Sequence, residues 1–250
     1  MACYDSDLMT MSEQNHPDLD LARTIRPGLD ILANEIVIAL KKRSRFLVNA
    51  PVYEPGLVIG HPERTLLAYE LSVCERNHAE LGRYAFASQD AFTDISMVKS
   101  VIAREKPNSP IKVMPSGVGD KVLAFYRLWV ENACRSGDDS STYGETVTTD
   151  VLALLAIMER VNLGKAVAES KFLEMTDNFL ATNGDREQML QYIVRRDREE
   201  QVLEIAARLA ENYDLPTEHT VDVFKFMIKT TVDIEVDYLK LRIAETNAGH

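Results

Sequence analysis

A chain of 250 residues, 46% hydrophobic and 27% charged, can bury a substantial core in one large domain or two small ones. Its net charge of −11 argues against nucleic acid, whose phosphates need clustered Lys and Arg. No apolar run reaches the ~18 residues of a membrane span, and Cys3, Cys74 and Cys134 have neither metal spacing nor an even count.

Residues 1–17 are polar and are expected to be disordered. They lack the basic and apolar regions of a signal peptide, so the cytosol is the expected location, with export after signal removal left open. From about residue 25 a helical pattern begins, with Leu29, Leu32, Ile36 and Leu40 on one stripe that runs to about 48. Pro27 suits a first helical turn and sets Arg26 at the mouth of that helix, where taken alone it reads as a surface residue. The stretch 49–63, with three prolines and two glycines, is a loop. Helices are expected over 62–84, 90–104 and 119–134, with a further loop over 105–117.

The stretch 135–150, RSGDDSSTYGETVTTD, is the most loop-like inside the chain. Turn composition leaves a domain linker and an effector loop equally open. A long helix is predicted over 151–172, another over 185–213 with a charge run at Asp197, Arg198, Glu199 and Glu200, and a last one over 218–243. Strand signals are nearly absent. The fold class is therefore all-α, a single helical domain over 18–250.

Two of these helices carry polar groups where a stripe should be apolar. Arg160 and Lys171 are eleven residues apart. At 100° per residue that is about three turns, so both lie on one face, with Gly164 and Val167 between them. Cations on a helix usually face water, but this stripe is the small and apolar one, and such cations need an anion from a neighbouring helix or a ligand. In the last helix Phe224, Ile228, Thr231, Glu235 and Leu239 share a face. A carboxyl there must be paired, protonated or exposed, and an ion pair is the plain structural account.

Three segments resemble the eukaryotic, all-helical type of chorismate mutase. ERVNLGKAVAESKF (159–172) is similar to that family's R-x-x-x-G-K-x-V-A-E-x-K-F signature, and TVDIEVDYL (231–239) to its T-x-x-x-E-V-E-Y-L ending. IRPGLDILANEIVIALKKRSRF followed by VYEPG resembles its first helix and the turn after it. The resemblance implies conversion of chorismate to prephenate without cofactor or metal. It implies that Arg26 and Arg160 each grip a substrate carboxylate, that Lys171 and Glu235 face the ether oxygen, that Glu199 takes the ring hydroxyl, and that Thr231 completes the polar pair of the last helix. Arg195 stands where the family can carry a neutral residue, and Arg198 resembles an arginine of the short bacterial members; both are candidate substrate-binding residues.

The residue set suits the chemistry. An intramolecular rearrangement needs no nucleophile, only a dianion held in a compact pose and donors where charge develops. Guanidinium forks match carboxylates. The resemblance further implies a homodimer with an aromatic amino-acid effector site at its interface, drawing on Arg83, Tyr143 and Gly144. Gly82 and Glu145 replace an arginine and a serine there, so the expected response is weak. A relative acting on isochorismate or aminodeoxychorismate (as mutase or pyruvate lyase) and a helical interaction protein without activity are the alternatives. No nucleic-acid or membrane partner is expected.

Overall fold

A computed structural model describes residues 19–103, 105 and 109–248, and the chain is all-α. The segment 1–17 lies outside the described residues. The Asp20 carboxylate accepts from the amides of Ala22 (2.9 Å) and Arg23 (2.8 Å) and opens a π-helical turn, Leu21–Ile25. That turn runs into α1 (Arg26–Ser44), whose buried face is Leu32, Ala33, Ile36, Val37 and Leu40. Then follow α2 (Leu66–Glu80), α3 (Gly119–Ala133), α4 (Tyr143–Asn162) and α5 (Gly164–Glu174). The chain closes with α6 (Thr176–Ala181), α7 (Arg186–Ile193), α8 (Arg196–Asn212) and α9 (Thr217–Ala248). The helix α4 packs along α1, while α9 packs against α5 and α8, so both pairs border one central space. Among the described residues, extended pairing amounts to two isolated bridges, and no helix is long and apolar enough to cross a membrane.

Four sequence expectations need correction. The helix predicted over 151–172 begins eight residues earlier, at Tyr143, so half of the loop-like stretch is helical. Its composition misleads because its buried face is polar. Thr146 and Asp150 are fully buried there, Thr146 accepting from the Asn49 amide at 2.8 Å. The same helix is interrupted at Leu163, which keeps right-handed helical angles (φ −60°, ψ −15°). Leu163 N–H still donates to Glu159 (3.2 Å) and its carbonyl still accepts from Val167 (3.0 Å), so α4 and α5 run on with little change of face.

No helix forms over 90–103. The Glu75 carboxylate, fully buried on α2, takes the amides of Phe92 and Thr93 at 2.8 Å each and the Thr93 hydroxyl at 2.6 Å. Those amides are thus engaged from outside the segment, and Asp94 turns the chain by accepting from Ser96 N–H at 2.9 Å. The span 185–213 is two helices, separated by Val194 in extended conformation and Arg195 in a non-helical one. The charge run consequently falls on the first turn of α8, where Asp197 and Glu199 meet the positive end of the helix dipole. A short helix, α6, adds to the expected set.

The lower half of the α1–α4 pair is tied by a buried ionic cluster. Arg43, with no exposed surface, donates to Asp150 at 2.6 Å and to the carbonyls of Leu47 (3.0 Å) and Val48 (2.9 Å). The Tyr53 and Tyr126 hydroxyls donate to the same carboxylate at 2.9 and 2.8 Å. Removing one partner strands the other charge in the core. Asp150→Ala is expected to cost about 3–5 kcal/mol of folding stability, read as a lowered urea midpoint. A loss below about 1 kcal/mol would mean that the cluster is not what ties α1 to α4.

Candidate active site

The central space is an open cavity of about 150 Å³. The helix α1 and the turn before it contribute Leu21, Arg26, Leu29 and Asp30, α4 Arg160, and α5 Val167 and Lys171. Across from these stand Ile193 and Arg195 at the α7–α8 break, Arg198, Glu199 and Val202 of α8, and Ile228, Thr231, Val232 and Glu235 of α9. The cavity thus gathers Arg26, Arg160, Lys171, Arg195, Arg198, Glu199, Thr231 and Glu235, all eight pocket residues singled out in the sequence. Asp30 joins them unforeseen. Its only sequence signal is its place one helical turn after Arg26.

Local folding explains how these groups meet. A side chain at Gly164 would come within 3.1 Å of both the Thr231 methyl and the Thr231 carbonyl oxygen. Glycine there lets α5 lie on α9, with Lys171 two turns after the crossing and Glu235 one turn after it. Lys171 Nζ donates to Glu235 Oε2 at 2.8 Å and to the Ile193 carbonyl at 2.9 Å. Proline at the second position of α1 leaves Arg26 as the first α-helical residue, at the cavity mouth.

Burial sets the electrostatics. Arg160 is 6% exposed, its Nε is buried without a hydrogen bond, and no described residue forms an ion pair with it. Burial pulls its pKa down to about 10, with the charge of Asp30 opposing that shift, so it stays cationic at neutral pH. The Thr231 hydroxyl is likewise buried without a partner. Glu235 is 5% exposed, and burial raises its pKa; Lys171 pulls the other way and the Glu199 charge adds to the rise. The net shift is upward. Desolvation outweighs the lysine. Arg195 sits exposed at the rim, held by Asp197 through two contacts of 3.2 Å, and Arg198 donates to Gln201 at 2.8 Å.

The cavity walls supply what a small dianion needs. The guanidinium groups of Arg26 and Arg160, without an ion pair among the described residues, share the space with Lys171 and its Glu235 partner, and Leu29, Val167, Ile193, Val202, Ile228 and Val232 form apolar surfaces between them.

The candidate effector residues lie elsewhere and apart. Arg83 pairs with Glu159 and borders a separate cleft with Phe86, Ser88 and Gln89. Gly144 lines another cleft with Lys42, Arg45 and Tyr69, and the Tyr143 hydroxyl donates to Asp138 at 2.9 Å. Glu159 and Gly144 are fifteen residues apart on α4, roughly 22 Å at the helical rise. One chain does not bring them together. The sequence also missed Lys165, fully buried with its ammonium 2.8 Å from Asp90, a pair that ties α5 to the irregular segment outside the cavity.

A family model for chorismate mutase type II matches residues 143–236, from the start of α4 into α9. The chain is 28% identical over 246 residues to a chorismate mutase of Saccharomyces cerevisiae, covering 89% of this chain and 95% of that one. It superposes on a chorismate mutase of Candida albicans, solved in complex with L-Trp, with a TM-score of 0.80 and 25% identity over 90% of this chain and 92% of the other. A structure solved with tyrosine in an allosteric site shares the fold, with a TM-score of 0.81 at 20% identity over 92% and 98%.

A buried cation without a partner burdens the empty protein. Arg160→Met is expected to leave the fold intact and to stabilise it by about 1–2 kcal/mol in urea denaturation without ligand. Destabilisation by a similar amount would mean that Arg160 is a structural residue.

Proposed function

We infer that this chain, a member of the eukaryotic, all-helical chorismate mutase family, converts chorismate to prephenate in the cavity between α1, α5, α8 and α9. The single observation that carries the reading is Arg160, a buried guanidinium without an internal partner, aimed into a space lined by four further cations. An anion that fills the space supplies the hydrogen-bonding partner that burial leaves this group without.

In this reading Arg160 takes one carboxylate of the substrate and Arg26 the other. A planar fork at each end fixes the orientation of a flexible dianion. The apolar walls fold it into the compact pose in which the bond-making carbons approach, which removes the entropic part of the barrier. Lys171 and Glu235, 2.8 Å apart, supply two donors to the ether oxygen as its bond breaks and charge gathers on it. Glu199 accepts from the ring hydroxyl, and Arg195 and Arg198 at the rim screen the dianion as it enters. No covalent intermediate forms, so each group acts by charge and position alone.

Glu235 can donate only while protonated, and its raised pKa extends the protonated fraction above the ordinary carboxyl range. The sign follows: kcat/KM falls as pH rises through that raised value, because the carboxylate neither donates nor tolerates a developing oxyanion. Purified protein should form prephenate from chorismate and release no pyruvate from isochorismate. Profiled from roughly pH 4.5 to 9, Glu235→Gln should stay active to higher pH than wild type, and Glu235→Ala should be poor throughout. Parallel profiles for wild type and Glu235→Gln would return Glu235 to a structural ion pair with Lys171. Pyruvate release from isochorismate would transfer the site to the related lyase chemistry.

The reading includes a cytosolic homodimer, consistent with the free thiols of Cys74 and Cys134. Arg83 and the Tyr143–Gly144 corner, too far apart to meet within one chain, would face each other across two. The effector response is expected to be weak. Arg83 is engaged by Glu159, Glu145 adds a carboxylate, and Gly82 sits at φ 77°, a conformation that disfavours a side chain. Tryptophan or tyrosine titrated at subsaturating chorismate should change the rate by less than about twofold, since an amino-acid carboxylate must displace Glu159 from Arg83. A several-fold change by either would overturn this.

A further inference from the structure

Three carboxyl groups line the cavity, and the proposed chemistry uses only Glu199 and Glu235. Asp30 has no part in it. It follows Arg26 by one turn of α1, so the two side chains leave the same face of the helix and enter the same cavity. Arg160, on the adjacent helix α4, lines the same cavity. Asp30 is exposed at the mouth and has no hydrogen-bond partner among the described residues. It is therefore not spent on the fold, and Arg26 and Arg160 lack any ion pair among those residues.

We infer that Asp30 is a positioning residue that sets affinity: its carboxylate is the resident counter-charge of Arg26 and Arg160 in the empty cavity and competes there with the carboxylates of an incoming dianion. This rests on the reading of the cavity as a dianion site. The effect of its charge on Arg160 supports the juxtaposition. Substrate and product of an intramolecular rearrangement carry the same two carboxylates, so Asp30 weakens both alike. Loss of uniform binding raises KM and leaves kcat in place, and it keeps product from lingering in a strongly cationic site.

The decisive comparison is wild type, Asp30→Asn and Asp30→Glu. Asparagine removes the charge and keeps the shape; glutamate keeps the charge. Across a partly hydrated gap one unit charge alters anion binding about three- to tenfold. Asp30→Asn should therefore lower the KM for chorismate and the inhibition constant of prephenate by about that factor, with kcat within about twofold. Asp30→Glu should stay near wild type, and the gap between Asn and wild type should shrink in about 0.5 M salt, where screening is short-ranged. An unchanged or raised KM for Asp30→Asn, or equal effects of Asn and Glu, would overturn the inference. Calorimetry with malonate, a dicarboxylate that cannot rearrange, makes the same comparison without turnover: Asp30→Asn should bind it about three- to tenfold more tightly. Wild type failing to turn over chorismate would count against the function, whereas equal malonate affinities would count against Asp30.

Discussion

The crossing of α5 over α9 at Gly164 and Thr231 is the constraint on which the site depends. With no side chain at 164, the helix approaches to within 3.1 Å of where a Cβ would meet both a methyl group and a backbone oxygen of α9. A methyl group can rotate away, but the carbonyl can yield only if α9 moves. The contact therefore sets the register of two long helices, and with it the distance between Lys171 and Glu235. The Thr231 hydroxyl at this crossing is buried without a hydrogen bond, as is the Arg160 Nε on α4.

Dryness then governs the chemistry. In a chain of net charge −11 the acidic surface lies outside, and a cluster of cations faces inward. Arg195 at the rim stays exposed, whereas burial takes Arg160 out of the screening of water, which makes its charge stronger toward an anion and costlier without one. Burial likewise lifts Glu235 toward the neutral form although a lysine touches it. Two kinds of buried charge coexist in the fold. Arg43 is satisfied by a carboxylate, two carbonyls and a tyrosine, and belongs to the architecture. Arg160 is buried without such a set, its Nε making no hydrogen bond.

How much of this was legible in the sequence depended on where each residue's partner lies. The all-α class and the faces of the last helix followed from local periodicity, and so did the common side of Arg160 and Lys171, because a helix fixes those relations within a few turns. The segment 90–103 has helical composition, but its amides are claimed by Glu75 from 17 and 18 residues away, which no local pattern records. The early start of α4 was hidden for the opposite reason. Thr146 and Asp150 look like loop residues until Asn49 and Arg43 are seen beneath them. The break at Val194–Arg195 carries neither proline nor glycine, and no local pattern marks Asp30 as a cavity residue. For the segment 90–103 and the start of α4, what sequence left out was a partner supplied by another element.

The Glu75 clamp has a consequence for how the molecule opens. A segment without repeating structure is usually the first to exchange its amide hydrogens and the first to be cut by a protease. Here the amides of Phe92 and Thr93 are released only if a fully buried carboxylate on α2 is stripped of its donors. Their exchange is thus coupled to the opening of α2 rather than to fraying of a loop. In kinetic terms the Phe92–Thr93 corner is expected to open with the core helix that holds it.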